Sequence, residues 1–433
     1  MQENNQKRII NFEKYKLANG VRVVLAPDTR AVATIAQVLV GTGSKYENKT
    51  NNGISHFLEH MVFKGTKTRP STKAIAEEVD SVGGQMNAFT GQEETGYWIK
   101  MPTEHSALAL DLVADIYLNS LLEQKELEKE RGVILQEMAM YEDMPMRKVE
   151  EVFEELLYGD QPAGWPIIGQ EKNIQKLTAQ DLKKYIRKQY LPAETVVTVA
   201  GNFSVPKIKK QIQDLFGKKR KTDKRNKRPA VKEQQRQPRL QIEEKDTDQT
   251  HLVLGFRSYN MFDRRKYVLS LLSSILGGGM SSRMFLRIRE REGLAYYIHT
   301  ASETNLDTGI FVIQAGVSHD NLEKTVKLIL QEVSKVAKKK VTEKELKKTK
   351  DKIKGSFTMG LETIQSRAGF LANQELFRRD IKTVKYILKQ YDKVTAKDIQ
   401  KVAQQIFKNY KLNLAIIGPH KNNERKLKEI LKV

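Results

Sequence analysis

The sequence predicts an α+β fold made of two homologous halves. The chain has 433 residues, which is too long for one ordinary hydrophobic core and suits two domains of about 200 residues each. In both halves, apolar stretches with strand character alternate with long helical stretches. The third observation is an internal repeat, in which corresponding residues of the two halves recur at a nearly constant separation.

The repeat is clearest near the end of each half. Thr178-Ala-Gln-Asp-Leu182 and Thr395-Ala-Lys-Asp-Ile399 each begin a helix, which runs through an aromatic residue into an apolar strand that ends at a glycine. These matched positions are separated by 217 residues. Thr95 and Thr308 are separated by 213 residues, and such drift is typical of loop insertions in a duplicated domain.

A basic segment separates the two halves. Residues 218–239 hold 11 Lys and Arg against two acidic residues, with two prolines and few large apolar side chains, which is typical of an exposed linker. We therefore expect an N-terminal domain at 1–217 and a homologous C-terminal domain at 240–433. The net charge of +22 also allows a nucleic-acid-binding protein. We do not expect nucleic acid as a partner, because no aromatic residues are interleaved in the segment to stack on bases.

The residues that indicate a metal site are His56, Glu59 and His60. Histidines at i and i+4 project from one helix face about 5 to 6 Å apart, so both ring nitrogens can reach one zinc ion. The opposite face carries an apolar stripe with helical spacing, formed by Ile54, Phe57, Leu58, Met61 and Val62. The three polar residues are therefore expected to face a cleft or solvent. The alternative is a chance grouping on the surface, and the other histidines show no ligand spacing.

A catalytic zinc site needs a third protein ligand and an open position for water. Cysteine cannot provide the ligand because the chain has none. Glu130 and Glu137 are one heptad apart on a helical stretch expected from about Leu127 to Leu157, so they share a face and suit one ligand and one outer carboxylate. Periodicity alone does not rank the two, and both also fit ordinary solvated residues.

The string HFLEHMVFKGT at 56–66 contains the H-x-x-E-H inverzincin signature. It resembles the pitrilysin/insulinase family of zinc metallopeptidases, especially the mitochondrial-processing-peptidase-like branch. Further segments that resemble family motifs are GGQMNAFT at 83–90, ETGY at 94–97, GGGMSSRMF at 277–285 and REREGLAY at 289–296. One departure is Trp165, where relatives commonly carry an arginine, and it concerns packing or substrate preference more than zinc.

The resemblance implies the roles of a zinc-dependent peptidase. In the family the third ligand is a glutamate in an E-x-x-V-I-x-x-E context, which matches Glu137, and His60 and Glu137 enclose 76 residues. Glu130 then takes the outer position. His56, His60 and Glu137 are expected to hold one Zn²⁺ per chain, since the second half lacks the H-x-x-E-H signature. Glu59 would be the base that activates the zinc-bound water.

The resemblance also implies how a peptide is held. Asn87 and Ala88 match an exposed strand edge to which an unfolded or short peptide adds as a further strand. Arg289 and Tyr296 match a pair that contacts the substrate and the developing oxyanion. Each domain is expected to be a mainly antiparallel sheet packed with helices, as in mitochondrial processing peptidase. Glycines 277–279 fit either a substrate-contacting loop or a helix end.

The expected assembly is a pair of two-domain chains around a peptide chamber, as a homodimer or as a heterodimer with a homologous chain. The main alternative is a non-catalytic structural or partner subunit of such a heterodimer, although such subunits typically lose zinc residues that this chain keeps. The sequence has no apolar stretch of about 18 residues and no signal-peptide core. We therefore expect no membrane span and a cytoplasmic protein.

Overall fold

The computed structural model describes residues 10–218, 222 and 224–433. Within these residues the strands are, in chain order, β1 (Glu13–Lys16), β2 (Arg22–Pro27), β3 (Ala33–Val40), β4 (Gln85–Thr90), β5 (Thr95–Pro102), β6 (Thr195–Gly201), β7 (Arg239–Glu243), β8 (Thr250–Arg257), β9 (Ala295–Thr304), β10 (Gly309–Val317) and β11 (Leu412–Ile417).

The helices in the same residues are α1 (Ile54–Met61), α2 (Thr72–Asp80), α3 (Ser106–Asn119), α4 (Gln124–Glu142), α5 (Pro145–Tyr158), α6 (Glu171–Ile174), α7 (Ala179–Gln189), α8 (Val205–Phe216), α9 (Lys266–Gly277), α10 (Leu322–Lys338), α11 (Glu343–Met359), α12 (Ile364–Arg378), α13 (Val384–Asp392), α14 (Ala396–Ile406) and α15 (Glu424–Ile430). None of the helices in the described ranges combines the length and the apolar character needed to cross a membrane.

Two sheets organise the chain. The first has the strand order β1-β2-β6-β3-β5-β4 and the second has the order β7-β11-β8-β10-β9. In the first sheet only β2 and β6 are parallel, and in the second only β7 and β11 are parallel. Apart from β1, the two sheets therefore share one topology. This confirms the α+β fold with two mainly antiparallel sheets packed with helices.

The helices expected from the repeat are present in both halves. Thr178 caps α7 and Thr395 caps α14, and each threonine forms a capping box with the aspartate three residues later. Equivalent sequence signals thus begin equivalent helices.

The compact units of the structure are not contiguous in sequence. The first unit consists of Met1–Met138, Pro166–Pro229 and Thr358–Tyr386, and the second of Ala139–Trp165, Ala230–Phe357 and Ile387–Val433. Helix α12 thus packs on the first sheet, whereas α5 packs on the second. The predicted division into 1–217, 218–239 and 240–433 describes the repetition in the sequence and stays a prediction.

Helix α5 is held to the second sheet by apolar side chains. Phe153 is 1% exposed and belongs to a buried cluster with Val149, Val152 and Leu157 of the helix and with Val253 and Ala415 of the sheet. Gly255 of β8 makes room for its ring, because a Cβ at this glycine would lie 2.4 Å from Phe153 Cζ. Close packing of α5 on the sheet therefore depends on the large ring at position 153 and on the absence of a side chain at position 255.

The prediction of one long helix from about Leu127 to Leu157 is wrong about its continuity. The structure has two helices here, because α4 ends at Glu142 and α5 begins at Pro145. Proline has no N–H to donate to the preceding turn, but it fits the first turn of a new helix.

The basic linker is only partly within the described residues, since 219–221 and 223 lie outside them. In the first unit, the Asn226 side chain donates to the carbonyl oxygens of Gly41 at 3.0 Å and Gln189 at 2.7 Å. In the second unit, the Val231 N–H donates to Asp307 Oδ2 at 3.0 Å. The described part of the linker is therefore tied to each unit at specific positions.

We expect Phe153→Ala to lower the free energy of unfolding by about 3 to 5 kcal/mol, because it removes a buried ring and leaves a cavity. Chemical denaturation monitored by circular dichroism measures this change. Glu155→Ala, at an exposed position of the same helix, is the control and should change stability by less than about 0.5 kcal/mol. Equal effects of the two substitutions would contradict the packing described for α5.

Candidate metal centre

Helix α1 carries His56, Glu59 and His60 on one side and is anchored by the other. Its buried residues include Ile54, Phe57, Leu58 and Met61, and Val62 beyond it is also buried, which confirms the predicted apolar stripe. Because this side is fixed in the core, the polar side has a defined orientation.

The start of α1 requires a glycine. Gly53 has φ +100°, and a Cβ there would lie 2.8 Å from Gly169 Cα and 2.7 Å from Ile174 Cδ1. The φ value and the close approach both exclude an ordinary side chain. The residue just before α1 therefore packs tightly against the segment that contains Gly169 and Ile174.

A buried carboxylate caps the same end of α1. Glu47 Oε2 accepts from the Gly53 N–H at 2.7 Å and from the Asn52 amide at 3.0 Å, and Oε1 accepts from the Ser55 N–H at 2.8 Å. Burial raises the pKa of Glu47 to about 7, although these hydrogen bonds oppose the shift. Glu47 was not predicted from the sequence, because its distance from the helix does not match a capping box.

Glu137 of α4 faces both histidines of α1. Glu137 Oε2 lies 3.7 Å from His56 Nε2 and 3.4 Å from His60 Nε2, and one ligand atom from each of the three residues lies within 4.8 Å of the others. Two ligand atoms at tetrahedral positions around one zinc ion are about 3.4 Å apart, given bond lengths near 2.1 Å. The spacing and the two-imidazole, one-carboxylate donor set therefore fit zinc. No other group of this kind occurs in the described residues.

The two histidines have different proton affinities. Burial, and then the neighbouring His60, lowers the pKa of His56 to about 4. Burial also acts to lower the pKa of His60, but the carboxylates of Glu130 and Glu137 outweigh it and raise that pKa to about 9. At neutral pH His56 is thus neutral, whereas His60 carries an extra proton. The carboxylates of Glu130 and Glu137 stabilise this positive charge, so the position beside them suits a cation.

Glu130 supports His60 from behind. Its Oε1 lies 2.9 Å from His60 Nδ1, and its Oε2 lies 2.5 Å from Lys64 Nζ. Burial opposes ionisation, but the hydrogen bonds from His60 and Lys64 lower the pKa of Glu130. A carboxylate on the far nitrogen of a histidine ligand is the usual outer partner in zinc sites.

Helix α4 is also tied to its surroundings between Glu130 and Glu137. The Arg131 guanidinium donates to the carbonyl oxygens of Ile174 and Leu177 and lies 5.8 Å from the centre of the Phe57 ring of α1. Because Phe57 is buried in α1, this contact helps to fix α4 against the helix that carries the histidines.

Glu59 lies on the polar side of α1 between the histidines. Burial raises its pKa, against the effect of a hydrogen bond from the Thr90 hydroxyl. A carboxylate with a raised pKa accepts and returns a proton near neutral pH more readily than an exposed one. Glu59 is outside the group that can share one ion.

Asn87 and Ala88 lie on β4, the edge strand of the first sheet. Asn87 is exposed, and its Oδ1 accepts from the Ala88 N–H at 2.8 Å. Helix α1 packs beside this strand. The edge and the histidine helix are therefore neighbours within one unit.

Arg289 and Tyr296 lie in the second unit. Arg289 is exposed within a π-helical segment, Phe285–Arg291, and its guanidinium lies 4.8 Å from the centre of the Phe285 ring. Tyr296 lies on the edge strand β9 and is 73% exposed. The structure thus brings together Glu59, the two histidines, Glu130 and Glu137, whereas Arg289 and Tyr296 belong to the other unit.

Family models match most of the chain. Residues 22–171 match the model described as insulinase (peptidase family M16), and residues 176–353 match the model described as peptidase M16 inactive domain. Among curated proteins, "Uncharacterized zinc protease YmxG" of Bacillus subtilis is 36% identical over 414 residues, covering 95% of this chain and 99% of that protein. An "Uncharacterized zinc protease" of Rickettsia felis is 37% identical over 412 residues, covering 95% and 98%.

Solved structures agree with these matches. A protease from Helicobacter pylori has a TM-score of 0.88 at 26% identity, over 95% of this chain and 100% of that chain. A peptidase M16 inactive domain from Pseudomonas fluorescens has a TM-score of 0.86 at 19% identity, over 94% and 98%. The second likeness concerns the fold alone.

We expect Glu137→Gln to weaken zinc binding more strongly than Glu130→Gln. The first substitution removes the charged oxygen that faces both histidines, whereas the second changes a partner of His60 alone and should cost about 10- to 100-fold in affinity. Competition with a fluorescent chelator measures both dissociation constants. The reverse order would make Glu130 the third ligand.

Proposed function

Because the chain belongs to the insulinase family of peptidases, peptidase family M16, we propose that it is a zinc metalloendopeptidase that cleaves unfolded or short peptides. The observation that carries the proposal is the convergence of two imidazoles and one carboxylate within 4.8 Å. The helix pair that holds them also carries Glu59 and Glu130. The motif at 56–66 favours the mitochondrial-processing-peptidase-like branch of the family.

In the proposed reaction, His56, His60 and Glu137 hold one zinc ion per chain. When bound, the zinc lowers the pKa of a water molecule and polarises the peptide carbonyl. Glu59 accepts a proton from the attacking water and then donates it to the leaving amine. Its raised pKa suits both steps, because the group must take up the proton and release it again.

The substrate is proposed to bind as an added strand along β4. The backbone of Asn87 and Ala88 lies on an open sheet edge, and backbone pairing depends on an extended shape more than on sequence. The Asn87 amide now bonded to the Ala88 N–H would have to turn away if a peptide carbonyl took its place. Unfolded chains meet this requirement more easily than folded proteins.

We also propose that the working form is a dimer around a peptide chamber, with a second copy or a homologous chain as partner. Each chain has one H-x-x-E-H site and one Arg289–Tyr296 pair, and an exposed guanidinium and phenol suit an oxyanion. In this proposal the pair acts at the site of the other chain. The cytoplasmic location stays a prediction from the sequence.

We expect Glu59→Gln to keep zinc and fold but to lose peptide cleavage, by about 100-fold or more, because it removes the base alone. Peptide digestion followed by mass spectrometry measures the rate, and metal analysis measures zinc. His60→Ala is the comparison variant that loses both. Cleavage by Glu59→Gln at the normal rate would refute the role of Glu59, while a zinc-loaded native chain that cleaves nothing would favour the non-catalytic subunit.

The dimer proposal predicts complementation between two inactive variants. Glu59→Gln lacks the base, and Arg289→Ala/Tyr296→Phe lacks the oxyanion donors. In a mixed dimer, one of the two sites has an intact base facing intact donors, so activity should return to up to about half of the native value per dimer. Differently tagged chains allow the mixed dimers to be purified. Inactive mixed dimers, or full activity in a monomer by light scattering, would contradict the shared site.

A further inference from the structure

A lysine just after α1 contacts the carboxylate behind His60. Lys64 Nζ lies 2.5 Å from Glu130 Oε2, and Glu130 Oε1 lies 2.9 Å from His60 Nδ1. We propose that Lys64 is a positioning residue of the metal site, which acts through Glu130 to orient the His60 ring. The inference rests on the proposed function and adds a residue to that site.

The turn that carries Lys64 is built to hold it in place. The following Gly65 has φ +128°, and a Cβ there would lie 2.7 Å from the carbonyl oxygen of Pro70, so a side chain at 65 would be strained. The Leu121 N–H donates to Gly65 O at 3.0 Å, and Thr66 forms a bridge with Ser120. The turn is thereby tied to the segment that leads into α4, the helix of Glu130.

Lys64 fixes the orientation of a carboxylate that could otherwise rotate. Each oxygen of Glu130 has its own partner, and the contact with Lys64 is a short charge-assisted hydrogen bond. With Oε2 held in this way, Oε1 points at His60 Nδ1. The lysine therefore selects one rotamer of Glu130 and, through it, one plane for the imidazole.

This orientation matters because the two ring nitrogens of histidine have different roles. When His60 is neutral and donates from Nδ1 to Glu130, its Nε2 is unprotonated on the other side of the ring. That nitrogen lies 3.4 Å from Glu137 Oε2, where a shared ion would be held. His56 lacks such support, because its buried Nδ1 has no hydrogen-bond partner among the described residues. The defined ring orientation at the site thus depends mainly on the Lys64–Glu130–His60 chain.

The Lys64–Glu130 ion pair is sufficiently shielded from solvent to orient the His60 ring. The Glu130 side chain is 8% exposed and that of Lys64 is 23% exposed, so water and salt weaken the contact less than at an open surface. An ordinary surface ion pair would affect neither the ring orientation nor the metal. A positioning role and a solubilising role therefore predict different results for the same substitution.

The test compares Lys64→Met, Lys64→Arg and the matched control Lys67→Met, at an exposed position in the same turn. Chelator competition gives the zinc dissociation constant of each full-length protein, and thermal unfolding of the metal-free proteins reports the fold. We expect Lys64→Met to raise the dissociation constant by roughly tenfold, the lower end for an outer-shell change. Lys64→Arg should recover most of the affinity because it keeps the charge, and Lys67→Met should match the native protein.

Each result decides the inference. A Lys64→Met protein that binds zinc like the native chain overturns it. A loss of affinity that accompanies a large fall in metal-free melting temperature and is not recovered by Lys64→Arg indicates a structural role and also overturns it. If the native chain binds no zinc, the proposed function fails together with the inference, and this outcome is distinct from native-like binding by the variant.

Discussion

The contact between α1 and α4 is the constraint on which the site depends. It brings two imidazoles, one helical turn apart, against two carboxylates that are one heptad apart. Burying these groups would be costly if any of them lacked a partner of opposite charge or a hydrogen bond. The surroundings accordingly fix both helices: Glu47 and Gly53 hold the start of α1, and Arg131 holds α4.

The charges of the site residues indicate what kind of ligand the site accommodates. Glu130 is paired with Lys64, whereas Glu137 faces the two histidines. The pKa of His60 is raised and that of His56 is lowered. The site therefore holds one positive charge, on His60, beside the carboxylates. A divalent cation supplies more positive charge there and needs both rings neutral, so metal binding should release the proton of His60. Glu59 remains beside this group with a raised pKa of its own.

The sequence predicted those features of the fold and the site that depend on residues close together in the chain. The apolar stripe of α1 predicted which side of that helix is buried, and the repeated threonine caps predicted α7 and α14. Glu137 was different, because helical periodicity could not separate it from Glu130. The family resemblance ranked the two, and in the structure Glu137 faces both rings while Glu130 contacts the back of one.

The features that were missed depend on contacts between distant segments. Glu47 caps α1 through a loop rather than at a fixed offset, and the packing of α5 and α12 on sheets from the opposite halves follows from tertiary contacts. The Lys64–Glu130 pair joins residues that no helical or strand period relates. The helix break before Pro145 did have a local signal, since proline disfavours the helical conformation of the residue before it.

X-ray absorption at the zinc edge of the purified protein reports whether His56, His60 and Glu137 hold a zinc ion. We expect one zinc per chain with nitrogen and oxygen ligands at about 2.0 to 2.2 Å, including the scattering pattern of two imidazoles. In His56→Ala and His60→Ala proteins this imidazole signal should fall or the zinc should be lost. Native protein that carries no zinc, or variants that keep zinc with the same imidazole signal as the native protein, would contradict this metal site.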